Sequence, residues 1–264
     1  MRMLTRNGEQ LAYVDEGTGQ PTLVLVHGWC CDHTYLAPQL EYFRSSHRVV
    51  AVDLRGHGAS SAPVQSYTMR AFADDLAWLI EELNLGQPVV IGHSMGGTVA
   101  LELAARHPEP VGAIVAIDSS LLPTAAATEI VLGDLVPGLQ SPDYRNVMRR
   151  FVEQTMFLPS DEPALKARVM DDMESAHQYV METAALDMFT REAAPIAVAC
   201  QVPFLYITGT TPRSDLEALR RLCPQVSMGQ TVGAGHFSPL LVPDQVNAMI
   251  ARFLTLVYPT PVQG

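Results

Sequence analysis

The chain has 264 residues, 48% apolar and 17% charged, with a formal charge of −11. This is enough length and apolar content for one large folded domain, and it argues against a disordered chain. The shortage of lysine and arginine argues against a general nucleic-acid or anionic-membrane surface.

The first 17 residues, MRMLTRNGEQLAYVDEG, show neither the apolar core nor the cleavage site of a secretory leader. No stretch reaches the roughly 18 unbroken apolar residues of a membrane span. Cys30, Cys31, Cys200 and Cys223 form no CxxC pair, and no histidine stands at zinc-ligand spacing from them. A reduced, cytoplasmic setting with no metal or other cofactor is therefore expected. Nothing in the sequence speaks to oligomeric state.

In chain order, Asn7-Gly8 between two short apolar/polar alternations predicts a hairpin. TLVLVHG (22–28), RVVAVD (48–53), PVVIG (88–92), AIVAID (113–118) and PFLYITG (203–209) are nearly continuous apolar runs, as strands buried on both faces require. Helical patterns separate them. Between 69 and 86, Phe72, Leu76, Leu79, Ile80 and Leu83 recur at three- and four-residue spacing, and Gly86 follows as a stop. Strand and helix in alternation predict an α/β fold, a mostly parallel sheet with helices on both faces.

From Ser119 to about Pro195 no buried-strand pattern occurs, only helix-like segments such as 141–157 and 162–189. This predicts a helical lid (119–195) inserted into a core made of 1–118 and 196–264, over the carboxyl ends of the strands. Met148, Met156, Met170, Met173, Met181 and Met188 lie in it, either as adaptable walls of an apolar pocket or as gap-fillers between helices. PTPVQG (259–264) reads as a frayed tail.

The chemistry gathers at Gly92-His93-Ser94-Met95-Gly96, a G-x-S-x-G motif set between a strand run and a helix pattern. A serine on so tight a turn is strained, and flanking glycines remove the clashes that side chains would make. The turn lifts Oγ above the sheet edge and leaves the Met95 N–H at a helix N-terminus, where an oxyanion is favoured. The hydroxyl needs a base. Among eight histidines, His236 follows a strand-like run and a Gly-x-Gly loop on the same sheet edge as Ser94, and is the expected base. His27, His57 and His93 read as loop-organising hydrogen-bonders; His33, His47, His107 and His177 have no supporting context.

HGW (27–29), DLRGHGASS (53–61), GHSMGG (92–97) and GAGHFSPLLVPD (233–244) together resemble the α/β-hydrolase fold superfamily over nearly the whole chain. The resemblance implies a Ser-His-Asp triad and an oxyanion hole whose second donor is the Trp29 N–H. The Trp29 ring either walls a pocket or packs its loop. Asp53 is expected to brace its own loop. In most of the superfamily the acid follows the strand written here PFLYITG, where this chain has Pro212 at the expected place and Asp215 further on, at a helix start. A minority carries the acid at the end of the strand after the elbow, here Asp118. Asp118 is the expected acid and Asp215 the alternative.

The implied function is hydrolysis of a small, largely uncharged carboxylic ester or lactone as partner substrate, because the lid lacks tryptophan and has few basic residues. A serine at the elbow argues against haloalkane dehalogenases and epoxide hydrolases. Carbon–carbon bond hydrolases, enol-lactonases and hydrolase-fold small-molecule receptors with little turnover stay open.

Overall fold

The computed structural model describes residues 1–259, so all but the first residue of the tail expected at 259–264 lies outside the described residues. The chain begins with β1 (Arg2–Arg6), β2 (Glu9–Glu16), β3 (Leu23–Val26), α1 (Ala37–Phe43), β4 (Val49–Val52) and α2 (Met69–Glu82). It continues through β5 (Val89–His93), α3 (Met95–Arg106) and β6 (Ala113–Ile117). A helical stretch follows: α4 (Ala125–Ile130), a π-helical turn (Val131–Leu135), α5 (Val136–Leu139), α6 (Tyr144–Met156), α7 (Pro163–Glu174), α8 (Gln178–Thr190) and α9 (Ala193–Ala199). The chain then returns through β7 (Phe204–Thr208), α10 (Leu216–Leu222), β8 (Val226–Gln230), α11 (Ser238–Leu241) and α12 (Pro243–Val257).

The eight strands form one sheet in the order β1-β2-β4-β3-β5-β6-β7-β8. β1 and β2 are antiparallel, joined through Asn7 (φ 54°) and Gly8 (φ 86°), the left-handed pair that a two-residue hairpin requires. From β4 to β8 all neighbours run parallel.

Alternate residues of each apolar run enter different cores, which is why the runs are continuous rather than alternating. Val24, Val50, Val90, Ile114 and Phe204 join Phe72 and Leu76 of α2, Val99 of α3 and Leu219 of α10. Leu23, Val49, Val89, Ala113 and Leu205 join Phe43 of α1 and Ile250 and Phe253 of α12. α2 starts at Thr68, whose hydroxyl accepts from Ala71 N–H. It ends through Asn84 (φ 49°), with Gly86 (φ 69°) two residues on. Phe72, Leu76 and Leu79 are fully buried, each stabilising the fold by about 1.5–3 kcal/mol.

The chain winds from β3 to β4 on one side and from β4 across to β5 on the other, so the carboxyl ends of β3 and β5 flank a topological switch point. Residues between β6 and β7 cover this edge and are tied to the core by polar contacts. Tyr179 OH donates to Ala62 O (2.7 Å), Met69 N–H to Asp187 Oδ2 (2.7 Å), and Tyr67 N–H to Thr183 Oγ1 (3.0 Å). α9, which spans position 195, packs against α3 and α10. Among the described residues no helix is long and apolar enough to cross a membrane.

Candidate active site

Ser94 stands between β5 and α3 with φ 54° and ψ −120°, a strained conformation for a non-glycine residue. A Cβ on Gly92 would strike the backbone of Gly96, and one on Gly96 would strike the carbonyls of Val26 and His27. Gly97, which the motif does not flag, is equally constrained: its Cβ would collide with Ser119 Oγ. The turn therefore needs three glycines, two to bend and one to let α3 lie against the end of β6.

Three predicted residues meet here. His236 Nε2 lies 2.8 Å from Ser94 Oγ, and His236 Nδ1 lies 2.7 Å from Asp118 Oδ2. With Asp118 ionised, Nδ1–H donates to the carboxylate, which leaves the Nε2 lone pair to accept from the serine hydroxyl. Asp118 directly follows β6 with φ 45°, a second strained residue at a neighbouring strand end. Its Oδ1 accepts from Gly209 N–H (2.9 Å), and Arg213 Nε approaches Oδ2 at 3.5 Å. Asp215 is not brought to His236; it caps α10, accepting from Ala218 N–H at 2.9 Å.

Burial pushes the Asp118 carboxyl up, but the His236 hydrogen bond, the Arg213 guanidinium and the Gly209 N–H more than offset it. The group sits below the usual carboxylate range. Burial and then the Arg213 charge pull the His236 imidazole below 6.5, against the upward pull of Asp118. In neutral solution the ring is thus the free base and the acid is ionised, as proton transfer from Ser94 requires.

The loop after β3 comes close at Gly28, where an added Cβ would lie 3.2 Å from Ser94 Cβ. Among the described residues, neither Trp29 N–H nor Met95 N–H has a hydrogen-bond acceptor. The next residue, Cys30, has φ 57°, so this loop is strained as well. The buried Trp29 indole donates to Met181 O of α8 (3.1 Å) and meets Phe151 of α6 edge-on. A cavity of about 10 Å³ at Ser94 is lined by Trp29, Cys31, Met156, Met173, His236 and Phe237, among others, room for about one water. Two of the six methionines singled out between 119 and 195, Met156 and Met173, therefore face it; Met148, Met181 and Met188 are buried in the larger core. A depression of about 1130 Å³ between the ends of α2 and α3 holds none of these residues.

The other histidines hold loops in place. His27 Nδ1–H donates to Gly28 O (2.7 Å) and its Nε2 accepts from Leu54 N–H (3.0 Å). His93 Nε2 donates to His236 O at 2.9 Å, tying the elbow to the His236 loop. His57 Nδ1–H donates to Arg55 O. Asp53 accepts from Ala59 N–H and from both the backbone and the ring of His33, a partner the sequence did not suggest. Arg213 is the other site residue that sequence reasoning missed. Its only signal was a cation beside Pro212, in the loop where the acid was first sought. All four cysteines are free and buried, and among the described residues no group of three His, Cys, Asp or Glu is placed to hold a metal.

A parallel sheet carrying a serine elbow at one strand end and a His–Asp pair on the same edge defines a hydrolase-type scaffold. The chain matches the α/β hydrolase fold family over residues 21–241 and belongs to it. It is 27% identical over 255 residues to the AB hydrolase superfamily protein YisY of Bacillus subtilis, covering 90% of this chain and 93% of that one. It is 26% identical over 253 residues to the (E)-2-((N-methylformamido)methylene)succinate hydrolase of Acinetobacter baylyi, covering 94% and 95%. Among solved structures, a thermophilic esterase from Thermogutta terrifontis superposes with a TM-score of 0.85 at 27% identity, covering 97% of this chain and 99% of that one. The enol-lactonase from Burkholderia xenovorans LB400 superposes with a TM-score of 0.86 at 23% identity, covering 96% and 100%, a likeness of fold.

Proposed function

We propose that the protein is a serine hydrolase that cleaves small, largely uncharged carboxylic esters or lactones through an acyl-enzyme on Ser94. The observation that carries this reading is the unbroken hydrogen-bonded chain Asp118–His236–Ser94, ending beside two N–H groups without acceptors. Ser94 Oγ attacks the acyl carbon while His236 Nε2 takes its proton, and Asp118 stabilises the imidazolium that forms. The oxyanion sits between Trp29 N–H and Met95 N–H, each donor lowering the barrier by about 3 kcal/mol. Collapse expels the alcohol, which takes the proton from Nε2. His236 then deprotonates water, which attacks the acyl carbon and frees Ser94.

Residues 119–195 act as a cap on the core of 1–118 and 196–264. The cavity at Ser94 holds roughly one water when closed, so the α6–α7 region moves aside to admit substrate. Its walls favour an uncharged acyl group: Trp29, Cys31, Met156, Met173 and Phe237 are apolar, and no Lys or Arg lines it. Two relatives are named for substituted succinates; a dicarboxylate would need a cation that this cavity does not supply. Four buried free cysteines suit a reducing, cytoplasmic setting.

The test is steady-state turnover on a panel of nitrophenyl esters and lactones. Multiple turnover by the wild type that vanishes in Ser94→Ala is the expected result. Equal inertness of both proteins, with a ligand that still raises Tm, would instead make this a binding protein.

A further inference from the structure

α6 ends at Met156, and a helix leaves its last carbonyls without partners inside the helix. Two of them are met from the catalytic side. Met156 O accepts from the backbone N–H of His236 (3.0 Å), and Thr155 O accepts from Arg213 Nη2 (2.5 Å). The same guanidinium turns its Nε toward Asp118 Oδ2 at 3.5 Å, the oxygen that already holds His236 Nδ1–H. The Asp118 side chain is 2% exposed and that of Arg213 is 23% exposed, so this pair is screened far less than a surface one.

From this geometry we infer that Arg213 is a positioning residue that couples closure of the cap to the triad acid, bridging the Thr155 carbonyl of α6 and the Asp118 carboxylate. The inference rests on the triad reading above. With the cap down, the guanidinium has an anchor on each side and holds Asp118 in the orientation that His236 needs. The partial negative charge at the α6 C-terminus adds to the hold on the cation. With the cap lifted, Thr155 O withdraws, Arg213 keeps one anchor, and its hold on Asp118 Oδ2 loosens, leaving the carboxylate to Gly209 N–H and His236. An arginine suits this role because its planar fork serves two acceptors at once, which a lysine ammonium on a flexible stem does less well.

The same cation disfavours protonation of His236 in the resting enzyme. Other charged or titratable groups near the ring are few. Asp118 faces it from the end of β6, and the His93 ring lies 4.8 Å away from β5, pulled down to about 3 by burial and so uncharged. From the cap connection, Asp161 stands against Gly235 with its Oδ2 accepting from Leu158 N–H, and Lys166 donates to Leu158 O beyond Phe157. Among the described residues, Arg213 is the one Lys or Arg that pairs with Asp118.

The test is the pH dependence of Ser94 labelling by a fluorophosphonate, which needs no natural substrate, alongside nitrophenyl acetate hydrolysis. The proteins compared are wild type, Arg213→Met, Arg213→Lys and, as a control on the exposed side of α10, Arg221→Met. In Arg213→Met the labelling rate should fall about 10-fold, and the acid limb should move up by about one pH unit as the cation beside His236 is lost. Arg213→Lys should keep the limb near its wild-type position but label more slowly. Arg221→Met should match wild type. If Arg213→Met melts early, Arg213→Gln reads the same limb without the charge. An acid limb that stays put in the neutral variants overturns the inference whatever the rate does, because a merely structural loss lowers the rate without moving the limb. Wild type that resists labelling over the whole range would overturn the triad reading instead, and this inference with it.

Discussion

The ends of β6 and β7 lie side by side in the sheet, and each is followed by an aspartate of different standing. Asp118 comes directly after β6, is buried at φ 45°, and receives His236, Gly209 N–H and Arg213. Asp215 comes seven residues after β7, is exposed at φ −67°, and spends its carboxylate on the first turn of α10. The difference begins in the backbone. Asp215 N–H donates to Leu122 O, and Ser214 Oγ takes Leu121 N–H while donating to Ser119 O, so this loop is fastened with Asp215 aimed at its own helix. Arg213, next in line, is left facing Asp118. A carboxylate thus becomes a partner of the base through a strained strand end and converging donors, not through nearness in sequence to an expected loop.

The sharpest way to break this comparison starts with its common point. Ser94→Ala should lower kcat on a nitrophenyl ester by about 10⁶-fold, the loss seen when a triad serine is removed; residual turnover within 10-fold of wild type would detach both aspartates from catalysis. Asp118→Asn should then cost about 10⁴-fold in kcat, because the wrong imidazole tautomer is favoured, while Asp215→Asn stays near wild type. The reverse pattern in the same assay would exchange the two roles.

A third test separates the buried edge from the exposed one through stability. His57 and His93 are both pulled down to about 3 by burial, and among the described residues His57 Nε2 and His93 Nδ1 have no partner to receive an added proton's N–H. Below 6.5 the unfolded chain binds protons that these folded rings refuse, so stability falls as pH falls. Each ring contributes a loss of about 1.4 kcal/mol per pH unit in that window. His33, raised through its hydrogen bond to Asp53, works in the opposite sense. Urea midpoints measured from pH 7 to pH 5 should therefore decline, and a flat series would contradict the burial argument. The smallest effect belongs to Asp215: Asp215→Ala should lower stability by about 1 kcal/mol through loss of the α10 cap and leave kcat unchanged, whereas Asp215→Asn, itself a good cap, should keep both near wild type.

The meeting of Ser94, His236 and Asp118 at the candidate site was readable because such a turn constrains the backbone. Gly92 and Gly96 flank Ser94 for steric reasons that any sequence with this turn must obey, and the apolar runs mark strands that feed two cores at once. His236 followed from its loop lying at a strand end on the same edge. Other features rest on three-dimensional facts that residue order does not carry. The bend of Asp118 into φ 45° and the Gly209 N–H that meets it come from neighbouring strands packing side by side. Arg213 gains its meaning only from the carbonyl of Thr155, 58 residues earlier. His33 lacked context in the sequence because its partner Asp53 lies on the next strand end. The helix-like stretch 162–189 is two helices, α7 and α8, parted where Ser175 Oγ donates to Asp172 O and His177 turns extended. Such a break leaves little trace in the spacing of apolar residues.

The central claim is that Ser94 becomes acylated. The most direct measurement is rapid mixing with a nitrophenyl ester, acid quench and mass spectrometry of the peptide containing Ser94. A single acyl group on Ser94, formed in a burst by the wild type, slowly by Asp118→Asn and never by Ser94→Ala, is the expected result. Steady turnover by the wild type with Ser94 unmodified, or the acyl group found on another residue, would contradict it.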